Sequence, residues 1–316
     1  MPAPAPPGFA AALAAGPLVL DGGLSNQLAA AGYDLSDALW SARLLADAPE
    51  AVVAAHRAYF EAGAQVAITA TYQASFEGFA RRGLGRADAE RLLALGVELA
   101  RRAAAPVRAD RPLWVAASVG PYGAALADGS EYRGRYGLTT AELEAFHRPR
   151  LEVLAAAGPD VLALETVPDA DEARALLRAV RGLGVPAWLS FSVAGDRTRA
   201  GQPLAEAFAL AADADEVVAV GVNCCTPQDA DRAVATAARV TGKPVVVYPN
   251  SGERWDAGAR AWRGAATFGV PGAAPGGGRA GVAGWLADGA RLVGGCCRVG
   301  PREIAALAAE VARGRD

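Results

Sequence analysis

Cysteines occur in this chain as two adjacent pairs, Cys224-Cys225 after Val222-Asn223 and Cys296-Cys297 after Gly294-Gly295, each closing an apolar run that reads as a buried strand. They are all four cysteines of a 316-residue sequence. A long, cysteine-poor chain with no basic, apolar leader fits a reducing compartment, where thiols stay free rather than form a disulfide framework. A lone buried cysteine usually packs as a small apolar group. Two pairs flanked by Gly and Asn at strand ends point instead to a thiolate metal site. Zinc suits such a site, because thiolates are soft ligands and three protein ligands leave a fourth position for substrate.

Three of the four thiols suffice, and strand geometry selects among them. Successive side chains on a regular strand face opposite ways, so Cys296 and Cys297 can converge only if Gly294 and Gly295 relax the backbone. Cys224 completes the triad, and Cys225, pointing away, takes a packing role. An ion held by three thiolates carries a net negative charge, which makes it a poor source of hydroxide and a good holder of one more thiolate. A free alkyl thiol, with a pKa of about 8.5, is mostly protonated at neutral pH, whereas a metal-bound one is deprotonated. Attack of that thiolate on the methyl of a sulfonium neutralises opposite charges, which a water-poor site favours without a general base.

Carboxylates at Asp21 and Glu165 suit a second task, anchoring the ammonium of an amino-acid thiol. Asp21 reads equally well as a turn residue beside Gly22 and Gly23. Glu165 follows Val161-Leu162-Ala163-Leu164, so its charge lies near the core, where it needs a partner. His56 and His147 fall in helical segments and read as packing or capping residues.

Eight short runs supply the positions. They are Pro17–Gly23, Gln65–Tyr72, Leu113–Gly120, Val161–Val167, Ala187–Val193, Val217–Cys224, Pro244–Asn250 and Arg291–Cys296. Each is nearly continuous in apolar residues, as expected of parallel strands covered on both faces. Helical stretches lie between them: Pro49–Ala62, Ala87–Ala104, Thr140–Ala157, Asp171–Arg181, Pro227–Val240 and Pro301–Ala312, several opened by Asp, Thr or Pro. Eight alternating units without a linker predict a single (β/α)8 TIM-type barrel over residues 17–316, preceded by a disordered Ala/Pro-rich tail over residues 1–16. Such barrels carry their chemistry at the carboxyl ends of the strands. Asp21, Thr69 to Gln73, Glu165, Asn223-Cys224 and Cys296-Cys297 all fall there, and strand eight closing on strand one brings Asp21 near the thiols. The long connections 121–139 and 251–280 lie on the same rim and read either as substrate lids or as solvated loops.

The formal net charge of −3 and scattered positive residues argue against nucleic acid. No apolar run reaches about 18 residues, so no membrane span is expected, and the chain reads as cytoplasmic. The Gly-rich runs lack the Lys-Ser/Thr of a phosphate loop.

Together these residues resemble the homocysteine S-methyltransferase family. The resemblance rests on Asp21-Gly22-Gly23-Leu24, Leu39-Trp40-Ser41-Ala42, Thr71-Tyr72-Gln73-Ala74-Ser75, Glu165-Thr166, Gly221-Val222-Asn223-Cys224, Tyr248-Pro249-Asn250-Ser251-Gly252-Glu253 and Gly294-Gly295-Cys296-Cys297. It implies Cys224, Cys296 and Cys297 as ligands of Zn2+, with Asp21 and Glu165 on the amino group of L-homocysteine. Thr71, Gln73 and Asn223 join them as substrate-binding candidates. The segments after strands two and seven look most like the branch using S-methylmethionine as methyl donor, with S-adenosylmethionine a second candidate. No corrinoid or folate module is expected. Cys225 departs from a plain reading, since either member of its pair could be the ligand. Other readings are a methyltransferase for selenohomocysteine or another small thiol, and a non-catalytic zinc-binding barrel.

Overall fold

The computed structural model describes residues 8–256, 261–268 and 281–314. Eight parallel strands form one sheet: β1 Leu18–Val19, β2 Val66–Ile68, β3 Trp114–Val119, β4 Val161–Val167, β5 Ala187–Phe191, β6 Val217–Asn223, β7 Val245–Tyr248 and β8 Ala290–Val293. Neighbours pair in chain order from β2 to β8, and β8 pairs with β1 at Leu18↔Leu292 and Val19↔Val293. The last seam is narrow. A bridge from Leu20 to Val66 closes it, supported by the Gln65 amide donating to the Val19 carbonyl at 2.7 Å and the Asp21 amide to the Val66 carbonyl at 3.0 Å. The result is a (β/α)8 barrel.

Burial on both sheet faces explains the unbroken apolar runs. Val66, Trp114, Ala116, Val161, Ala163, Trp188, Ala219, Val246 and Leu292 fill the lumen. The alternate positions, among them Ala67, Val115, Ala117, Leu162, Leu164, Leu189, Val220 and Val247, pack under the surrounding helices. Those helices start where the sequence signals: Thr139 forms a capping box with Glu142, Thr226 caps Pro227–Thr241, and Pro49, Pro227 and Pro301 sit in first turns.

Three expectations change. The tail expected to be disordered through Gly16 instead forms a helix, Phe9–Ala15, whose Phe9 and Leu13 enter the lumen cluster; residues 1–7 lie outside the described residues. The physical reason is their spacing of four, which puts both on one helix face and buries them at about 1.5–3 kcal/mol each. Phe9 meets Trp114 edge-on, with ring centroids 5.8 Å apart. The fifth apolar run also breaks early: β5 stops at Phe191, and Val193–Ala194 turns into an antiparallel hairpin with Arg197–Thr198. Connection 121–139 contains a helix, Tyr122–Leu126, and a 3-10 turn, Ser130–Tyr132. Residues 257–260 and 269–280 of the connection 251–280, with its Gly-rich stretch, lie outside the described residues.

His56, on the helix Pro49–Glu61, is fully buried with neither ring nitrogen hydrogen-bonded, and burial alone lowers its pKa to about 4. The folded protein holds it neutral while an unfolded chain protonates it near 6.5. Its contribution to stability is therefore complete above pH 6.5 and lost as pH falls toward 4, by roughly 3 kcal/mol. Urea melts of wild type and His56→Leu across pH 4–7.5 should show this acid loss shrinking in the variant. Identical pH profiles would refute it. His147, which burial and the nearby Arg150 also hold neutral, keeps its share in both proteins.

Candidate metal centre and substrate cavity

Local backbone at two strand ends brings the thiols together. β6 ends at Asn223, and Cys224 turns out of it at φ +48°, a left-handed conformation that side-chain-bearing residues rarely adopt. β8 ends at Val293, so Cys296 and Cys297 lie beyond the strand and its alternation no longer applies. The two glycines before them serve close approach rather than unusual dihedrals. A Cβ on Gly294 would stand 2.5 Å from the Leu20 Cβ, and one on Gly295 2.2 Å from the Val299 side chain. The segment is pinned to the end of β7: the Cys296 amide donates to the Pro249 carbonyl at 2.8 Å and the Cys297 amide to Asn250 Oδ1 at 3.0 Å.

The Cys224, Cys296 and Cys297 sulfurs lie within 4.8 Å of one another and could hold a metal ion. Cys224 and Cys297 are 3.8 Å apart. Cys225 is not one of the group; it is buried in the apolar core, and burial pushes its thiol well up. Hydrogen bonds from Cys296 and Cys297 pull the Cys224 thiol well below its ordinary value against its burial, helped by the Tyr132 hydroxyl at 3.2 Å and Arg199. Cys296 and Cys297 shift up, since each shares its proton with Cys224. The hydrogen bonds within the cluster thus favour Cys224 as its most acidic thiol.

A cavity opens above the sulfurs at the carboxyl ends of the strands, walled by Trp40, Tyr72, Gln73, Glu131, Tyr132 and Arg199. Glu165 lines it. Its Oε1 accepts from the Ser118 hydroxyl and its Oε2 from the Tyr248 hydroxyl at 3.0 Å, while burial pushes its pKa up to about 7. Asp21 sits beside the lining residues Gly22 and Ile68. Oδ2 accepts from the Ile68 amide at 2.9 Å, Oδ1 is buried with no partner, and burial drives its carboxyl well above the usual range, with Glu165 adding to the rise. Two buried acids, the charge of Glu165 raising Asp21, make a place suited to a positive group.

The remaining candidates take different places. Gln73 lines the cavity, its Nε2 donating to the Ala124 carbonyl at 3.1 Å. Thr71 is buried behind the wall, its hydroxyl donating to the Ser118 carbonyl at 2.8 Å. Asn223, also buried, accepts from the Thr166 amide on Oδ1 at 2.7 Å and donates from Nδ2 to the Thr166 hydroxyl at 2.7 Å. Thr166 follows Glu165 at φ +59°, an outlier for a β-branched residue, and Asn223 clamps it there. Asn223 therefore fixes the end of β4. His56 and His147 stay out of the cavity; His147 binds Glu172 at 2.8 Å inside the helical layer.

Four positions that shape the site had no role assigned from sequence: Ser118, Tyr132, and Tyr248 and Asn250 of the Tyr248–Glu253 motif. Ser118 carried a signal, being a polar residue inside an otherwise apolar strand. Tyr248 closes β7, while Asn250 and Tyr132 lie in connections whose contacts no spacing reveals.

Comparison with known proteins gives one consistent picture. The family model described as homocysteine S-methyltransferase matches residues 18–311. The chain is 43% identical to homocysteine S-methyltransferase YbgG of Bacillus subtilis, over 92% of this chain and 93% of that protein. It is 46% identical to homocysteine S-methyltransferase 4 of Zea mays, over 94% and 90% respectively. Among solved structures, the metallated form of the homocysteine methyltransferase MmuM from Escherichia coli superposes with a TM-score of 0.79 at 43% identity, covering 93% of this chain and 96% of that one.

Proposed function

We propose a reaction from one premise: this chain belongs to the homocysteine S-methyltransferase family. It is an enzyme that transfers a methyl group to the thiol of homocysteine, and the donor we infer is a sulfonium, S-methylmethionine first and S-adenosylmethionine second. With S-methylmethionine both products are methionine. The observation that carries this reading is the convergence of three thiols and Glu165 on one cavity, with Asp21 buried behind its lining residues Gly22 and Ile68.

Zinc fits the donor set at Cys224, Cys296 and Cys297, three soft ligands bordering a cavity with room for a fourth. Bound there, it would keep the acceptor thiol deprotonated at neutral pH. The chain's own residues do the rest. Glu165 and Asp21 take the homocysteine ammonium from two sides, and the unpartnered Asp21 Oδ1 gains the donor it lacks. Ser118 and Tyr248 hold the Glu165 carboxylate in place, and Asn223 fixes the turn after it. Gln73 and the aromatic rings of Trp40, Tyr72 and Tyr132 exclude water from the space where the methyl passes. In the transfer the donor's C–S bond breaks, its electron pair stays on the donor sulfur, and the acceptor thiolate forms the new C–S bond. Both charges disappear, so a dry site speeds the step. A reducing, cytoplasmic setting suits three thiols that must stay free; no described helix is long and apolar enough to cross a membrane.

The test is methionine formation from L-homocysteine and S-methylmethionine by reduced protein of measured zinc content. Turnover should vanish on chelation and return when zinc is added back. Activity that survives complete zinc removal would overturn the metal assignment, and a zinc-loaded protein inactive with every sulfonium donor would overturn the donor class.

A further inference from the structure

We propose that Glu131 recognises the cationic methyl donor and sets the enzyme's affinity for it; this rests on the sulfonium-donor reading above. Among the described residues, the other acids lining the cavity have partners, and Asp21, behind the lining, is assigned above to the homocysteine ammonium. Glu165 is engaged by Ser118 and Tyr248, Glu253 by Arg298 at 2.6 Å and Ser251 at 2.9 Å, and Asp37 by the Leu39 amide at 2.8 Å. Glu131 lines the same cavity, as does Arg199, and its carboxylate forms no ion pair with a described residue. Its Oε2 is shielded without a hydrogen-bond partner; burial raises its pKa, with the charges of Cys224 and Asp128 adding to the rise and the backbone amides of Glu131 and Gly129 opposing it.

This acid is held in position. The turn Ser130–Tyr132 rests directly on Gly123, where a Cβ would come within 2.4 Å of the Glu131 amide nitrogen. Ser130 is buried, and its amide donates to Asp128 Oδ1 at 2.9 Å. The next residue, Tyr132, reaches the Cys224 sulfur at 3.2 Å, so Glu131 is set one residue from the thiol cluster and feels the charge of Cys224. A cation placed between them is attracted from both sides, which is where a methyl donor must lie to meet a thiolate held by the cluster.

The chemistry fixes how this contact acts. A sulfonium loses its charge on transfer, whereas an ammonium on the same donor keeps its own. A carboxylate on either group binds the ground state at least as well as the transition state. Its removal therefore raises the donor KM and does not slow the methyl transfer.

Kinetics of wild type and Glu131→Gln at saturating homocysteine, with S-methylmethionine as donor, test this. The donor KM should rise about tenfold or more, with kcat within about twofold and the homocysteine KM unchanged. Dimethylsulfonioacetate, which lacks an ammonium, then serves as donor or competitive inhibitor. Weakening confined to S-methylmethionine places Glu131 on the donor ammonium, and weakening of both places it on the sulfonium; either supports the proposal. An unchanged donor KM, or a rise in homocysteine KM instead, overturns it while leaving the donor class intact. A wild type that turns over no sulfonium overturns both.

Discussion

Cys224→Ala is expected to lose bound zinc and to reduce methionine formation by at least about 10³-fold, whereas Cys225→Ala should keep both. The contrast is sharp because the two residues are chain neighbours with opposite surroundings. Cys224 turns out of β6 at φ +48° to bring its sulfur into the triad, and Cys225 is buried in the apolar core outside it. Removing one of three ligands leaves two thiolates, too few to retain a structural or catalytic ion against a chelator. Losing one buried thiol to a methyl-sized side chain costs only packing, on the order of 1 kcal/mol. Zinc content per chain and turnover, measured on both variants under reduction, decide the assignment. Retention of zinc in Cys224→Ala together with its loss in Cys225→Ala would reverse the choice of ligand.

Glu165→Gln should raise the homocysteine KM roughly 100-fold while zinc content stays at wild-type level, since truncating one charge of a buried pair costs several kcal/mol. The amide is nearly isosteric, so Ser118 and Tyr248 still have a side chain to meet, but the charge proposed to bind the ammonium is gone. A pH signature accompanies it. With its pKa up at about 7, Glu165 is ionised above neutrality and protonated below it. Homocysteine affinity in the wild type should therefore rise with pH between about 6 and 8, and that limb should flatten in the variant. The acceptor thiol's own titration is common to both proteins, so the difference between the two profiles is the readout. Equal loss of zinc and homocysteine binding would mark Glu165 as structural instead.

Much of this was written in local patterns. Eight apolar runs separated by capped helical segments specified the alternation, because a strand buried on both faces must be apolar throughout and Thr, Asp and Pro at helix starts satisfy free amides locally. β4 begins and ends where the run Val161–Val167 does. The convergence of Cys224, Cys296 and Cys297 was legible for the same reason: in a closed barrel, the carboxyl ends of strands six and eight meet one mouth. Strand eight's return to strand one likewise placed Asp21 beside them.

The sequence by itself thus determined the barrel, the three thiols and the two acids near them, since each follows from periodicity or from chemistry rare at a strand end. Tertiary structure decided what depends on contacts distant in the chain. It turned Phe9–Ala15 into the plug of the lumen, because only the folded barrel offers Phe9 and Leu13 a surface. It bound Asn223 to the backbone of Thr166, and it tied Glu165 to Ser118 and Tyr248 across 47 and 83 residues. It assigned the strained backbone to Cys224 rather than to Gly294 and Gly295, whose missing side chains make room for Leu20 and Val299. Hydrogen bonds and close contacts between strand ends carry no periodicity, so they become visible only when the ends are brought together.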